Sequence, residues 1–140
     1  HGSLNSEKSK KIFRQIVAAV SHCHQQGIAH RDLKLENILL TQTSQVKLAD
    51  FGFSRQMTTS DLFSQTFCGS VAYTAPEVLQ GKKYSPFQSD VWSMGVLLYA
   101  MFVGRLPFDD SNVTNPYHPI VMRSHTLTIP GSSDLIPLPP

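Results

Sequence analysis

The chain has 140 residues, 41% of them hydrophobic, which is enough for one domain with its own core and excludes a small disulfide-stapled scaffold. Twelve basic and ten acidic residues leave a formal net charge of +2, too weak a field to attract nucleic acid or an anionic membrane surface, so neither is predicted as a partner. The two cysteines, Cys23 and Cys68, are too few for a disulfide framework and predict free thiols in an intracellular, cytoplasmic protein.

The first predicted element is an amphipathic helix from Asn5 to Gln26. Its apolar positions recur with the helical period and share one face: Ile12, Phe13, Ile16, Val17 and Val20. Asn5 or Ser6 is expected to cap the start of this helix, and Gly27 its end.

Two short apolar runs follow, Asn37 to Leu40 and Gln45 to Ala49, and the four polar residues between them predict a small β-hairpin. The segment from Gly27 to Asn37 is then a loop between the helix and the hairpin. Residues 52–73 are rich in Ser, Thr, Gln and Phe without a helical or strand period. They predict a long ordered or switchable loop, and loops of this length commonly have a function.

A second helix is predicted to begin near Ser89 or Asp90 and to end at Val103, closed by Gly104. Its apolar run from Val91 is nearly continuous but shorter than the roughly 20 residues that cross a bilayer, so it predicts a buried helix. Because this helix is hydrophobic on nearly all sides, protein is expected against every face.

The last part of the chain, residues 113–140, has a different composition. It contains six of the nine prolines and shows no amphipathic period. It is therefore predicted to be a divergent, Pro-rich and disordered tail, separate from a domain formed by residues 1–112.

The residues with potential chemistry lie in the loop and directly after the hairpin. The loop contains His30 to Asn37 (HRDLKLEN), in which Asp32 and Asn37 are five residues apart, a spacing that a compact loop can turn toward one pocket. Asp50 stands thirteen residues beyond Asn37, at the other end of the hairpin. Since a hairpin brings its ends together, Asn37 and Asp50 are expected to approach each other as oxygen ligands. Such a pair suits Mg²⁺ that is shared with substrate phosphates.

These residues resemble the catalytic loop and the metal-binding loop (Asp50-Phe51-Gly52) of eukaryotic-type serine/threonine protein kinases. Ala75-Pro76-Glu77 follows at the usual distance in that family, and the segment from Asp90 to Gly95 (DVWSMG) matches the start of its buried central helix. The resemblance covers roughly residues 3–112. It implies a mainly α, partial protein-kinase-like fold: a helical C-terminal lobe with a small β-hairpin, and no N-terminal lobe.

The resemblance implies ATP-dependent phosphorylation of serine or threonine in protein substrates. Asp32 would accept or orient the proton of the substrate hydroxyl, and Lys34 would steady the transferring phosphoryl group. Asn37 and Asp50 would hold Mg²⁺ on the phosphates of ATP. The residues implied to bind the nucleotide and its metal are Lys34, Glu36, Asn37, Leu39 and Asp50, with Leu39 in the apolar floor under the adenine ring.

The resemblance also implies supporting roles around the loop. His30 and Phe51 would belong to a packed stack that rests on Asp90, and Asp90 would accept hydrogen bonds from the catalytic-loop backbone. The resemblance implies structural roles for Gly52 and Glu77 as well.

The long loop resembles the activation segment of the family. Arg31 beside Asp32 usually accompanies switching by phosphorylation, because a guanidinium can pair with an added phosphate and order the loop. Thr66 stands where many relatives carry the phosphorylated threonine, which implies an upstream activating kinase as a possible partner; an ordinary exposed loop residue is the alternative. Ser70 occupies a position where threonine is commoner.

Three segments carry a finer resemblance: residues 66–73 (TFCGSVAY), 75–81 (APEVLQG) and 107–112 (PFDDSN). They look most like testis-specific serine/threonine kinases, near the calcium/calmodulin-dependent group.

The sequence departs from the family pattern at both ends. No Gly-rich phosphate loop and no nucleotide-binding strand lysine precede the first helix, so the chain is interpreted as a fragment with half of an ATP pocket. Because the resemblance ends after Asn112, Glu77 is expected to lack its customary arginine partner and the second helix some of its packing. The alternative function is a non-catalytic kinase-lobe fragment that acts as a protein-binding module.

Overall fold

The computed structural model describes residues 5–108 and two further short strands, 126–128 and 135–137. The helices are α1 (Ser6–Gln25), α2 (Pro76–Leu79) and α3 (Pro86–Val103). The strands are β1 (Ile28–Ala29), β2 (Ile38–Leu40), β3 (Val46–Leu48), β4 (Arg55–Gln56), β5 (Thr126–Thr128) and β6 (Leu135–Pro137). In three antiparallel two-stranded sheets, β1 pairs with β4, β2 with β3 and β5 with β6. Single turns of 3-10 helix are formed by Leu35–Asn37 and Val71–Tyr73.

α1 confirms the first predicted helix. The Asn5 side chain accepts hydrogen bonds from the backbone N–H groups of Glu7 (2.9 Å) and Lys8 (3.2 Å), which caps the helix start as predicted. Gly27 follows the last turn with φ +74°, a conformation that glycine adopts without the steric cost of a side chain. The buried stripe consists of Ser9, Ile12, Ile16 and Val20.

The β-hairpin is also present, within the two predicted apolar runs. Its register pairs Ile38 with Leu48 and Leu40 with Val46. The turn that joins the strands contains Ser44 at φ +60°, in the left-handed region that non-glycine residues seldom occupy. The turn therefore lies at one end of the hairpin, and Asn37 and Asp50 lie at the other end.

α3 begins one turn before the predicted start near Ser89 or Asp90, so that prediction is wrong. Ser85 precedes the helix and Pro86 is its first residue, a position where the fixed φ of proline suits the helix and its missing N–H costs nothing. The apolar run starts later than the helix, which is why periodicity alone gave the wrong boundary. The predicted end is correct, and Gly104 adopts the left-handed conformation with φ +80°.

The hydrophobic core lies between α1 and one face of α3. It contains Ile12, Ile16, Val20, Leu33, Ala72, Tyr73, Val96, Leu97 and Met101. Leu33 belongs to the loop between β1 and β2, and Ala72 and Tyr73 belong to the second 3-10 turn. This loop and this turn are therefore anchored in the same core.

The outer face of α3 is not covered by the described residues. Val91 is 57% exposed, and an apolar groove of about 440 Å³ runs along the helix past Trp92, Tyr99 and Phe102 to Phe108. Residues 5–108 leave this face open, and both the prediction that protein covers every face of α3 and the prediction that some of its packing is missing stay predictions.

The predicted boundary at residue 112 and the predicted disordered tail over 113–140 lie outside the described residues, except for β5 and β6, and both stay predictions. Cys23 and Cys68 are free thiols, as expected. In the described part of the chain, no helix combines the length and apolarity that a bilayer crossing requires.

Candidate active site

The buried carboxylate of Asp90, at the start of the apolar part of α3, holds the catalytic loop in place. Its two oxygens accept hydrogen bonds from the backbone N–H groups of His30 (2.9 Å) and Arg31 (2.8 Å). The ring nitrogen Nε2 of His24 lies 2.8 Å from the same carboxylate. Asp90 is 1% exposed, and Arg31 has φ +65°, so buried bonds hold the loop in a conformation that a free chain seldom adopts.

Asp32 is the centre of a cluster of polar side chains and is 5% exposed. The ammonium of Lys34 lies 3.2 Å from Oδ2 of Asp32, and the Ser70 hydroxyl lies 3.4 Å from Oδ1. Lys34 also donates to the Ser70 hydroxyl at 3.0 Å. Asn37 completes the cluster, because its side-chain amide donates to the Asp32 backbone oxygen at 2.9 Å and to Oδ2 at 3.3 Å.

The hairpin brings Asn37 and Asp50 to the same end. The Ala49 N–H donates to the Asn37 carbonyl oxygen at 2.9 Å. Ala49 is thus paired with Asn37, and Asp50 is the residue after Ala49. The Ala49 carbonyl oxygen lies 2.9 Å from Nε2 of His30, which joins this end of the hairpin to the catalytic loop. Asp50 has φ +56°, and its Oδ1 accepts the Gly52 N–H at 3.2 Å.

The oxygen atoms at this end of the hairpin are of the type that a hard cation such as Mg²⁺ prefers. Both hydrogen bonds of the Asn37 amide use its nitrogen, so its side-chain oxygen is the atom left to coordinate, and the Asp50 carboxylate is exposed. Within residues that the structure describes, no group of three or more His, Cys, Asp and Glu is placed to hold a metal ion. A cation at Asn37 and Asp50 would thus have few protein ligands, as is usual for Mg²⁺ that is shared with phosphates.

The remaining predicted residues lie in the catalytic loop, the 3-10 turn, β2 and the segment after β3. The rings of His30 and Phe51 meet edge to face with centroids 4.7 Å apart. Leu39 lies on β2 with 52% of its surface exposed, and Glu36 is exposed in the 3-10 turn before Asn37. The role of Leu39 in the adenine floor stays a prediction.

The activation segment runs close to the catalytic loop at Gly69. This residue has φ +94°, and a Cβ built on it would lie 2.7 Å from the Arg31 carbonyl oxygen. Only glycine permits this close approach of residue 69 to the catalytic loop, which brings the Ser70 hydroxyl to Asp32. Further along the chain, the Thr74 hydroxyl donates to the Ser70 carbonyl oxygen at 2.8 Å.

We expect Gly69→Ala to lower the free energy of unfolding by at least about 2 kcal/mol, because it combines an unfavourable φ with a contact against rigid backbone. Gly81→Ala is a matched control: Gly81 has φ +67°, but a Cβ there would meet nothing within 4 Å, so it should cost only about 1 kcal/mol. Urea unfolding followed by the fluorescence of Trp92, the single tryptophan, measures both. Equal losses in the two variants would contradict the close approach.

Arg31 and Thr66, the two predicted regulatory residues, have separate hydrogen-bond partners. Nε of Arg31 donates to the Phe53 carbonyl oxygen at 2.7 Å, and within residues 5–108 its guanidinium makes no ion pair. Thr66 is exposed, and its carbonyl oxygen accepts a hydrogen bond from the Tyr84 hydroxyl at 2.8 Å. Ser64 and Tyr84 exchange backbone hydrogen bonds of 2.8 and 2.9 Å, which anchor this part of the segment. No described hydrogen bond or ion pair joins Arg31 to Thr66.

Both cysteines favour the protonated thiol. Burial raises the pKa of Cys68, and the nearby Asp32 carboxylate raises it further, although the Arg31 guanidinium opposes the shift. Burial also raises the pKa of Cys23, with a contribution from Asp90. At neutral pH little thiolate is present at either position, so neither cysteine has the character of a catalytic nucleophile.

Glu77 lies in α2 and is half-buried. Its carboxylate makes no ion pair with any residue in the 5–108 range. Of the other structural positions, His30 contacts both Phe51 and Asp90, whereas Gly52 donates a hydrogen bond to Asp50.

Two residues of the site had no role in the sequence analysis. Ser70 was noted as a conservative variant, but its hydroxyl lies between Lys34 and Asp32. His24 is bonded to Asp90 although the two are 66 residues apart. The glycine before Ser70 is a signal of close backbone approach, whereas nothing local in the sequence points to His24.

Comparisons with known proteins identify the family of the chain. The family described as protein kinase domain matches residues 1–137, beyond the residues that carried the resemblance. Testis-specific serine/threonine-protein kinases 1 and 2 of Mus musculus are each 44% identical over 138 residues, or 96% of this chain. Testis-specific serine/threonine-protein kinase 5 of Mus musculus is 52% identical over 107 residues, or 76% of the chain.

The chain spans only part of these relatives: 37% and 38% of the first two and 29% of the third. The match to the family nevertheless extends over almost all of the chain, and the relatives at 44% and 52% identity are serine/threonine-protein kinases by name. The chain therefore belongs to the protein kinase family, in its serine/threonine branch.

Proposed function

We propose that this chain carries the catalytic centre for ATP-dependent phosphorylation of serine and threonine in protein substrates. The observation that supports it best is the polar cluster on Asp32: a buried carboxylate that contacts Lys34, Asn37 and Ser70, beside a hairpin end that carries Asp50. Phosphoryl transfer depends on positioning and charge stabilisation rather than on a covalent nucleophile, and this cluster provides both.

In the proposed reaction Asp32 acts on the acceptor hydroxyl. The hydroxyl proton passes to a carboxylate oxygen of Asp32 as the hydroxyl oxygen bonds to the γ-phosphorus and the bond to the departing ADP oxygen breaks. Lys34, 3.2 Å from that carboxylate, stabilises the negative charge on the transferring group. The Ser70 hydroxyl fixes the Lys34 ammonium at 3.0 Å, so the cation is already oriented before substrate binds.

Asn37 and Asp50 are the residues that would hold Mg²⁺. When bound with ATP, this ion supplies positive charge that neutralises the phosphates. The exposed Leu39 would contact the adenine ring, and Glu36, exposed in the 3-10 turn before Asn37, would belong to the same nucleotide site.

We further propose that Thr66 is the regulatory site. It is exposed to an upstream kinase, and Arg31 has no carboxylate partner among the described residues. A phosphate on Thr66 would attract the Arg31 guanidinium and order the activation segment against the catalytic loop.

The function can be tested by titrating the 140-residue chain with a fluorescent ATP analogue, with and without Mg²⁺. We expect Mg²⁺ to strengthen binding by about tenfold or more, because metal and phosphates would share one site. Asp50→Asn should remove this enhancement. Asp61→Asn, which changes an exposed acid of the activation segment, should preserve it. Absent binding at millimolar ATP would contradict the proposal and favour the alternative, a protein-binding module.

A further inference from the structure

Gln15 joins α1 to the hairpin by both ends of its side-chain amide. The amide nitrogen donates to the Ser44 carbonyl oxygen at 3.1 Å, and the amide oxygen accepts the Val46 N–H at 3.0 Å. A weaker contact of 3.4 Å connects the same nitrogen to the Lys11 carbonyl oxygen on α1. The half-buried Gln15 thus bonds to the outer edge of β3 as a neighbouring strand would.

The hairpin needs such a support because it is small. It has only three paired positions, and an isolated two-stranded hairpin is marginally stable in water. Its turn includes Ser44 at φ +60°, and the other bonds that close the turn are local ones between Thr41 and residues 43–45. Gln15 is the side chain whose hydrogen bonds connect this turn to α1.

The two ends of the hairpin are attached to different parts of the molecule. Gln15 holds the turn to α1, and His30 holds the Ala49 end to the catalytic loop. Val46 and Asp50 are four residues apart, or about 13 Å along an extended strand. Ile38, Val46 and Leu48 also pack against the core, but apolar packing is non-directional, so the hydrogen bonds at the two ends limit how far the ribbon can twist. Asn37 directly precedes β2 and Asp50 follows β3, so twisting the ribbon changes their separation.

We infer that Gln15 is a positioning residue for the metal-binding end of the hairpin. It touches neither metal nor substrate; it restrains the ribbon so that the oxygens of Asn37 and Asp50 stay within reach of one cation. This inference rests on the proposed function, since it takes Asn37 and Asp50 as the metal ligands.

The experiment uses the ¹⁵N-labelled 140-residue chain and Mn²⁺ alone as a paramagnetic probe. In the wild type, NMR signals of Asn37, Asp50 and Gly52 should broaden first as Mn²⁺ is added. Gln15→Met removes both hydrogen bonds while keeping a side chain of similar length. We expect it to raise the Mn²⁺ concentration for half-maximal broadening about tenfold, the loss expected from two hydrogen bonds.

The matched control is Gln25→Met, at an exposed position of the same helix, which should bind Mn²⁺ as the wild type does. If Gln15→Met does not fold, Gln15→Glu retains the acceptor for the Val46 N–H and should give an intermediate affinity. Localised broadening at wild-type concentrations in the variant, even with a lower unfolding midpoint, would overturn the inference and leave the proposed function standing. Absence of localised broadening in the wild type would overturn both.

Discussion

Asp32→Asn is expected to lower the rate of phosphoryl transfer by about 10²–10⁴-fold, the usual contribution of a positioned general base. The amide has nearly the same shape as the carboxylate but does not accept the hydroxyl proton. It also removes the negative partner of Lys34, which lies 3.2 Å away. The measurement is transfer of labelled phosphate from ATP to a serine- and threonine-containing protein, normalised to the wild-type chain.

Folding should survive this substitution. Asp32 accepts side-chain hydrogen bonds from Asn37 and Ser70 at 3.3 and 3.4 Å, which are long, and the 2.9 Å bond from Asn37 goes to its backbone oxygen. Asp61→Asn, at an exposed position, controls for a general loss of charge. Equal activity in Asp32→Asn and the wild type would refute the assignment of Asp32 as the base.

Asp90→Ala should destabilise the fold by about 3–5 kcal/mol, the largest loss of stability expected from a single substitution here. It leaves the buried N–H group of His30 and the partly buried N–H group of Arg31 without an acceptor, and it removes the partner of His24. Because Arg31 has φ +65°, the catalytic loop is then free to relax to a commoner conformation. Urea unfolding measures the loss, and phosphoryl transfer should fall with it.

Two further variants test the cause of that loss. Asp90→Asn retains one acceptor oxygen and should lie between the wild type and Asp90→Ala. Asp61→Ala removes an exposed carboxylate that pairs with Arg55 and should cost no more than about 1 kcal/mol. A loss of less than about 1 kcal/mol for Asp90→Ala would mean that water replaces the carboxylate, contrary to its burial.

Local elements were predictable where the sequence carries a local signal. The apolar period and the Asn5 cap predicted α1, and two apolar runs around a polar turn predicted the hairpin. The start of α3 was missed because its first turn is not part of the apolar run, although Pro86 was a usable signal. Composition predicted burial on every face of α3, but composition does not say which partner covers a face, and Val91 is exposed.

By itself the sequence determined the family, the catalytic loop and the pairing of Asn37 with the end of β3, because these depend on residue types at short spacings within one loop and one hairpin. Only the tertiary structure decided that His24 bonds to Asp90, that Ser70 bridges Lys34 and Asp32, and that Gln15 holds the hairpin turn. These contacts join residues 29 to 66 positions apart. No periodicity or spacing encodes them; they form because packing α1 against α3 and the hairpin leaves buried polar groups that must find partners.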